Sequence, residues 1–129
     1  MIGEDRHGVG TMEYDNGRIY YGMWKYDKRH GQGIETQSNG NKYKGGFQNG
    51  KSEGFGVYNW ANGETYTGYW KAGFKHGEGV WSNPKWDKYE GFWKTSKAHG
   101  KGRHIWGNGD SYDGEWNDFV KEGLGIEYY

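Results

Sequence analysis

A period of 23 residues runs through the chain and restricts its fold more than any other feature of the sequence. Tyrosines recur at this spacing, each followed after two residues by glycine and after four by tryptophan or phenylalanine. The columns are Tyr20, Tyr43, Tyr66, Tyr89 and Tyr112; Gly22, Gly45, Gly68, Gly91 and Gly114; and Trp24, Phe47, Trp70, Trp93 and Trp116. A fixed period of this length indicates a repeat architecture in which each unit contacts only its neighbours.

Two more motifs keep the same period. A Gly-x-Gly pair recurs at Gly8/Gly10, Gly31/Gly33, Gly54/Gly56, Gly77/Gly79, Gly100/Gly102 and Gly123/Gly125. The preceding residue is histidine or glutamate: His7, His30, Glu53, His76, His99 and Glu122. An Asn-Gly dipeptide closes most units, with its glycine at Gly17, Gly40, Gly63 and Gly109.

The repeat explains a false motif at residues 45–52, GGFQNGKS, which matches the phosphate-binding loop pattern letter for letter. Such a loop needs a following helix whose N-terminus faces the phosphates. The next residues, EGFGVYNW, begin a helix poorly because they combine glycine with β-branched and aromatic residues. Gly45 belongs to a repeat column, so we predict no nucleotide site and no cofactor.

Each repeat is predicted to form one β-hairpin. Tyr-x-Gly-x-Trp alternates with period two, which places both rings and the glycine on one face of a strand. Gly-x-Gly and the residues after it predict a second strand, reached through a polar loop such as KYDKR or KAGFK. Asn-Gly predicts the hairpin turn at the far end. The fold class is all-β: an elongated, single-layer antiparallel meander, a β-hairpin solenoid that advances roughly 10 Å per repeat.

Aromatic rings must supply the apolar packing of this sheet. The chain is 19% aromatic and holds 26 glycines, while its mean hydropathy is only −1.24. A glycine inside a strand leaves room for a cross-strand ring to lie over the backbone. We therefore expect the tyrosines and tryptophans to cover the glycines in place of a conventional core.

The segments YYGMWKYDKRHGQG, YTGYWKAGFKHGEG and YEGFWKTSKAHGKG resemble MORN (membrane occupation and recognition nexus) repeats. The resemblance covers residues 3–129 and implies a β-hairpin solenoid used for interaction and not for catalysis. We interpret residues 1–129 as a single array: a partial repeat at 1–19, then repeats starting at Tyr20, Tyr43, Tyr66, Tyr89 and Tyr112, the last incomplete. Met1 and Tyr129 cut through repeats, so we expect an excerpt of a longer protein with sheet edges that permit homo-oligomers.

Composition argues against several other classes. Seventeen basic and seventeen acidic residues give a formal net charge of zero, which offers no bulk attraction to nucleic acid. The absence of cysteine fits a reducing compartment. Equivalent histidines one repeat apart should lie roughly 10 Å from one another, too far to share a metal ion. We predict no catalytic residue and no metal site, a turn-stabilising role for the histidine column, and an exposed strand position for His104.

Basic residues concentrate in the predicted loop between the two strands of each repeat. They are Lys25, Lys28, Arg29, Lys51, Lys71, Lys75, Lys94, Lys97 and Lys121. Equivalent loops of a meander share one edge, so these residues predict a basic rim. Loop solubility is the simpler interpretation. The alternative is contact with anionic lipid, an activity that the resemblance also implies.

Aromatic residues outside the columns indicate a binding surface. The repeat does not require Phe55, Tyr58, Trp60, Phe74, Trp81, Trp86 and Trp106. A one-layer sheet has no second layer to bury such rings, and tryptophan and tyrosine are enriched at binding hot spots. A single ring could equally pad the sheet, but as a group Tyr58, Trp60, Trp81, Trp86 and Trp106 predict a partner-binding groove.

The repeat at 66–88 ends differently from the others. In SNPKWDKY, Pro84 and Trp86 interrupt the Asn-Gly pattern. We expect a loop of different conformation there. Trp86 would then either contact a partner or pack locally onto Tyr89.

The sequence thus predicts a non-catalytic scaffold that holds a helix or an extended segment of a protein partner. The alternatives are a peripheral membrane module that binds anionic phospholipid, or the regulatory segment of a lipid kinase. The resemblance implies cytoskeletal, ciliary or membrane-junction assemblies. The expected location is the cytoplasm, the cytoskeleton or cilium, or the periphery of a membrane.

Overall fold

All eleven strands of the described chain form one open antiparallel sheet in sequence order. The structure is a computed structural model that describes residues 8–118 and 120–128. The strands are β1 Gly8–Glu13, β2 Ile19–Lys25, β3 Lys28–Thr36, β4 Lys42–Gln48, β5 Lys51–Asn59, β6 Thr65–Lys71, β7 Phe74–Ser82, β8 Lys88–Lys94, β9 Lys97–Ile105, β10 Ser111–Asn117 and β11 Val120–Tyr128. This confirms the predicted all-β meander. His7, Met1 and Tyr129, named above, lie outside the described residues.

The period-two pattern sorts the side chains onto two faces. In β2, Tyr20, Gly22 and Trp24 are buried, whereas Tyr21 and Met23 between them are exposed. The face that carries the tyrosine column is called the aromatic face here, and the other is called the opposite face. The buried hydrophobic residues are Tyr20, Trp24, Tyr43, Phe47, Tyr66, Trp70, Tyr89, Trp93, Ala98, Tyr112 and Trp116.

The hydroxyl end of each tyrosine ring lies over a pair of facing glycines. Gly22 pairs with Gly33 across β2 and β3, and a Cβ atom added at Gly33 would collide with the ring of Tyr20. Gly45 with Gly56, Gly68 with Gly79, Gly91 with Gly102 and Gly114 with Gly125 repeat this arrangement. The expected covering of glycine by aromatic rings is present in every complete repeat.

Hydrogen bonds fix these rings in place. The Tyr20 hydroxyl donates to the carbonyl oxygen of Met23 at 2.8 Å. The Trp24 indole N–H donates to the carbonyl oxygen of Gly10 in the preceding hairpin at 3.1 Å. Three other tryptophans bond to the preceding hairpin in the same way: Trp70 to Gly56, Trp93 to Gly79 and Trp116 to Gly102. The rings therefore join each repeat to the one before it.

A bulge lies between Arg29 and Gly33 in β3. Gly22 pairs with Gly33, but Trp24 pairs with Arg29, so three residues, 30–32, face Met23 alone. Extra residues in one strand bend it and increase its twist. Gly31 meets this demand with a φ of 78°, a conformation that favours glycine.

The hairpin turns differ from the polar loops that the sequence suggested. Strands β2 and β3 are joined by only Tyr26 and Asp27, with φ of 50° and 63°, which is a type I′ turn. KYDKR is therefore mostly strand, and the expectation of a longer loop was wrong. At the other edge, Gly63 donates to Trp60 across a three-residue turn with a left-handed glycine, so Asn-Gly marks the turn as predicted.

The turn that contains Pro84 has the same hydrogen bonds as its counterparts. The backbone N–H of Asn83 donates to the carbonyl oxygen of Asp87 at 3.1 Å, and that of Trp86 donates to the carbonyl oxygen of Asn83 at 3.2 Å. The fixed φ of proline suits the first loop position of such a turn. Trp86 takes the left-handed place of glycine, with a φ of 71°. The expectation of a different loop was wrong, because neither residue prevents this turn.

The histidine column does not stabilise the turns by hydrogen bonds. Among the described residues, His30, His76 and His99 make none to a loop backbone, and Nδ1 of His99 is buried without a partner. Glu53, in the same column, does accept a hydrogen bond from the backbone N–H of Ala72 at 3.0 Å. The turn-stabilising interpretation holds for Glu53 and was wrong for these histidines, while the side chain of Glu122 lies outside the described residues.

Candidate interaction surface

A second set of rings lies on the aromatic face, on the strands that pair with those carrying the tyrosine column. Tyr58 pairs with Tyr43 and Trp81 pairs with Tyr66 across neighbouring strands. The ring of Trp60 stacks on Tyr58 with centroids 4.4 Å apart. Because side chains two residues apart share a face of a strand, the second strands of the hairpins extend the aromatic face.

His104 lies on this face and not in the exposed position that the sequence suggested. Its ring stacks 4.4 Å from Trp106 and 6.0 Å from Trp116. Burial lowers the pKa of this imidazole below its ordinary value, and the Lys121 ammonium acts in the same direction against the opposing effect of Asp87. His104 therefore belongs to the aromatic surface. Its spacing from Tyr58, 46 residues or two repeats, was the signal available in the sequence.

The aromatic face contains a cavity of about 570 Å³ that is lined by residues between Glu64 and Lys121. Its lining residues are Glu64, Lys75, Trp81, Tyr89, Trp93, Ala98, His104, Trp106, Trp116 and Lys121. Clefts of this size and apolar character hold ligands or side chains of a partner.

The structure brings together four of the five residues predicted to bind a partner. Tyr58, Trp60, Trp81 and Trp106 are all partly buried on the aromatic face and pack against its core. Trp86 is separate, since its ring is 82% exposed in the turn at one edge of the sheet. That exposure also argues against packing onto Tyr89.

One pair of positions varies from repeat to repeat on this surface. The first member is Arg29, Ser52, Lys75, Ala98 or Lys121, and the second is Glu35, Tyr58, Trp81, His104 or Glu127. Arg29 forms an ion pair with Glu35, and Lys121 Nζ lies 2.6 Å from Glu127. In the repeats that start at Tyr20 and Tyr112, the two positions thus form an ion pair. In the three repeats between them, the second position places an aromatic ring on the face.

Burial raises the pKa of several tyrosine hydroxyls on the aromatic face. Burial, reinforced by the charge of Glu115, raises the pKa of Tyr89 to about 12. Burial also raises the pKa of Tyr20, Tyr43, Tyr58 and Tyr66. The hydroxyls of Tyr20, Tyr43, Tyr66 and Tyr89 each donate a hydrogen bond to a backbone carbonyl oxygen, whereas that of Tyr58 accepts one from the Gln37 amide.

Comparison with protein families agrees with this geometry. The family model described as MORN repeat matches residues 5–17, 20–42, 43–65, 66–88, 89–111 and 112–129. The chain belongs to the MORN repeat family. No curated protein matches the chain. MORN repeats are commonly modules that interact with proteins or membranes, and the family is generally non-catalytic.

Some basic residues of these MORN repeats lie along one edge of the sheet, and others lie on the aromatic face. Lys25, Lys28, Lys51, Lys71, Lys94 and Lys97 are exposed beside the type I′ turns along one edge of the sheet. Arg29 and Lys75, predicted for the same rim, instead project over rings of the aromatic face. Lys121 likewise lies 5.2 Å from the ring centroid of Trp106. Each of these three residues is the second residue of its strand and pairs with a buried tryptophan of the neighbouring strand, so its side chain lies on the face of those rings.

Residues 45–52 of the MORN array form a β-hairpin. The Asn49–Gly50 turn joins β4 to β5, where a phosphate-binding loop would lead into a helix. In the described part of the chain, no group of three or more His, Asp or Glu side chains is arranged to hold a metal ion. Nor does any helix in that part have the length and apolar character to cross a membrane.

Proposed function

We propose that this MORN array is a non-catalytic scaffold that binds a helical or extended segment of a protein partner along its aromatic face. The observation that carries the proposal is the cavity of about 570 Å³ among Trp81, Trp93, Trp106 and Trp116. All described strands belong to one sheet, so residues 8–118 and 120–128 place no second layer over the rings around the cavity.

The rings suit the recognition of an apolar side chain. Trp81 is fixed by a hydrogen bond from its indole N–H to Glu64 at 2.9 Å. Trp106 is held by its stacking on His104. Rigid tryptophans lose little side-chain entropy on binding and are enriched among the residues that dominate interface energies. The resemblance of the chain suggests that the partner belongs to a cytoskeletal, ciliary or membrane-junction assembly.

The test is capture of proteins from a native cell extract on the immobilised chain. The variant Trp60→Ser, Trp81→Ser, Trp106→Ser should lose the partner while retaining the far-ultraviolet dichroism of the sheet. A matched variant on the opposite face, Tyr21→Ser, Tyr69→Ser, Phe92→Ser, removes three rings that are about half exposed and should retain the partner.

Equal capture by the wild type and the first variant would rule out the aromatic face as the binding site. Loss of the partner only in the second variant would transfer the function to the opposite face. Identification of the captured proteins by mass spectrometry would name the assembly.

A second candidate function, attachment to anionic phospholipid, is supported by the six exposed lysines along one edge. Asp27 and Asp118 are acidic residues of the same turns, so the edge remains basic on balance. Tyr26 and Phe74 are exposed beside the lysines, and aromatic rings suit the headgroup region of a bilayer. Each well-placed lysine contributes roughly 1 kcal/mol of attraction to an anionic surface.

Sedimentation with vesicles of phosphatidylcholine and phosphatidylserine tests this candidate. Two lysines contribute roughly 2 kcal/mol, so Lys71→Gln with Lys94→Gln should weaken binding about 30-fold at low salt. Lys42→Gln with Lys85→Gln makes the same change in charge at the other edge and should have little effect. Binding that is equal on pure phosphatidylcholine would exclude the electrostatic mechanism.

A further inference from the structure

Lys75 differs from the equivalent cations of the other repeats in lacking a carboxylate partner. Arg29 and Lys121 pair with Glu35 and Glu127, which occupy the second of the two variable positions. In the repeat of Lys75 that position is Trp81. Among the described side chains, the ion pairs found do not include Lys75.

Aromatic rings hold the ammonium of Lys75 in its place. Its Nζ lies 5.0 Å from the ring centroids of Trp60 and Trp93 and 5.6 Å from that of Tyr66. These distances are within the range of cation–π attraction. Burial lowers the pKa of Lys75, while the charge of Glu64 opposes the shift.

The rings do not replace a hydrogen-bond acceptor. An ammonium group carries three N–H donors, and a partly buried charge is costly unless it is paired. Glu64 lines the same cavity, but the ion pairs found among the described side chains do not join it to Lys75, and its two carboxylate oxygens accept hydrogen bonds from the Trp81 indole and the Asn62 amide. The cavity therefore presents a cation with unused donors beside an apolar lining.

We propose that the partner segment presents an aspartate or glutamate to Lys75 and places a bulky apolar side chain in the adjacent cavity. This inference rests on the function proposed above and specifies the chemistry of its partner: an acidic and apolar protein segment, selected by charge complementarity. Trp81 and Trp93 contact the apolar side chain, and Lys75 pairs with the carboxylate. A basic segment would instead meet the ammonium of Lys75 at the wall of the cavity.

Selection from a phage-displayed library of random 16-residue peptides tests the assignment. The targets are the wild type, Lys75→Met and Lys71→Met, the last removing an exposed lysine from the edge. Peptides selected on the wild type and on Lys71→Met should be enriched in Asp or Glu at a fixed spacing from Trp, Phe or Leu. Those selected on Lys75→Met should lose the acidic residue and retain the apolar one.

A synthetic wild-type binder and its Glu→Gln (or Asp→Asn) form provide a readout that leaves the protein unchanged. The carboxylate should be worth at least about tenfold in affinity on the wild type and close to nothing on Lys75→Met. An equal loss on both proteins, or a selection without acidic enrichment, would overturn the assignment. Selection of basic peptides would also overturn it, and would indicate that Glu64 is the residue that pairs with the partner.

Failure of the proposed function has a different appearance. In that case the wild type would select no peptides beyond those selected by the variant with serine at positions 60, 81 and 106, and both proposals would fall together. If apolar peptides depend on the tryptophans but show no acidic residue, only the role of Lys75 is wrong.

Discussion

The repeats at residues 20–42 and 66–88 have the same backbone and different surfaces. Both place a tyrosine over two facing glycines, and both have the same bulge between these glycines and the type I′ turn. In the first repeat the Arg29–Glu35 ion pair lies over the rings, whereas in the second Lys75 and Trp81 border a cavity. The columns shared by all repeats therefore build the sheet, while the variable pair of positions differs between these two repeats: it is an ion pair over the rings in the first and a cation and a ring beside a cavity in the second.

The largest effect is expected where the two repeats are alike. Gly33→Ala and Gly79→Ala should each lower the free energy of unfolding by about 3 kcal/mol, because the added Cβ collides with the ring of Tyr20 or Tyr66. Urea titration would measure both losses. Gly54→Ala is the control: its Cβ would meet no atom within 4 Å, so only backbone strain of about 1 kcal/mol applies. Equal losses at all three glycines would contradict the role of the tyrosine rings.

A matched pair of substitutions should separate the two repeats. Arg29→Met should cost about 2 kcal/mol, because it leaves Glu35 with only Arg18 at 3.4 Å and removes a hydrogen bond to the Gly50 carbonyl oxygen. Lys75→Met should change stability by less than about 1 kcal/mol, since lost cation–π attraction offsets the relief of a partly buried charge. Thermal melting of both variants would check this. A loss at position 75 as large as that at position 29 would show that Lys75 has an ionic partner within the fold.

The turn that contains Pro84 and Trp86 should show a smaller change in stability, of opposite sign. Trp86→Gly should raise the free energy of unfolding by about 1 kcal/mol, because glycine adopts the left-handed backbone without steric cost. Trp86→Asn should lie between glycine and the wild type. Denaturant midpoints decide the result, and a decrease for Trp86→Gly would mean that the exposed ring contributes packing.

The smallest expected effect concerns pH. His104 is neutral in the fold because burial lowers its pKa, so the unfolded chain binds more protons between the folded value and about 6.5. Its stabilisation is therefore complete above pH 6.5 and is lost as the pH falls through the folded value. The loss should be less than about 1 kcal/mol, because the group is only partly buried.

His104→Tyr is the matched variant, since Tyr58 fills the equivalent place two repeats earlier. The difference in stability between the variant and the wild type should grow between pH 7 and pH 5. A constant difference over that interval would show that His104 does not titrate within the aromatic face.

The sequence contained most of the fold because its signals are local and repeated. Tyr-x-Gly-x-Trp has the period of a strand, and Asn-Gly gives a left-handed turn residue. The bulge at residues 30–32 was not predicted, because the recurring glycine at its centre, Gly31, was counted among the glycines that rings would cover. Because the bulge was not expected, Arg29 and Lys75 were assigned to the basic rim. The face on which each of these side chains lies depends on the register beyond the bulge.

Part of the candidate surface could also be predicted from the repeat. Tyr58, Trp60, Trp81 and Trp106 could be recognised because the repeat does not require them. His104 was missed because a lone histidine gives no hydrophobic signal, although it occupies the place of Tyr58. Trp86 was grouped with the others by residue type, whereas its turn position directs it away from the aromatic face.

The sequential order of the strands also determines how the molecule responds to force. Tension between its two ends acts along the hydrogen bonds that join neighbouring strands, so hairpins separate one at a time without breaking distant contacts. A released 23-residue unit can lengthen from roughly 10 Å to roughly 75 Å. Single-molecule stretching should therefore show equal steps at low force. Recoil should be fast, because every contact to be re-formed is close in the chain.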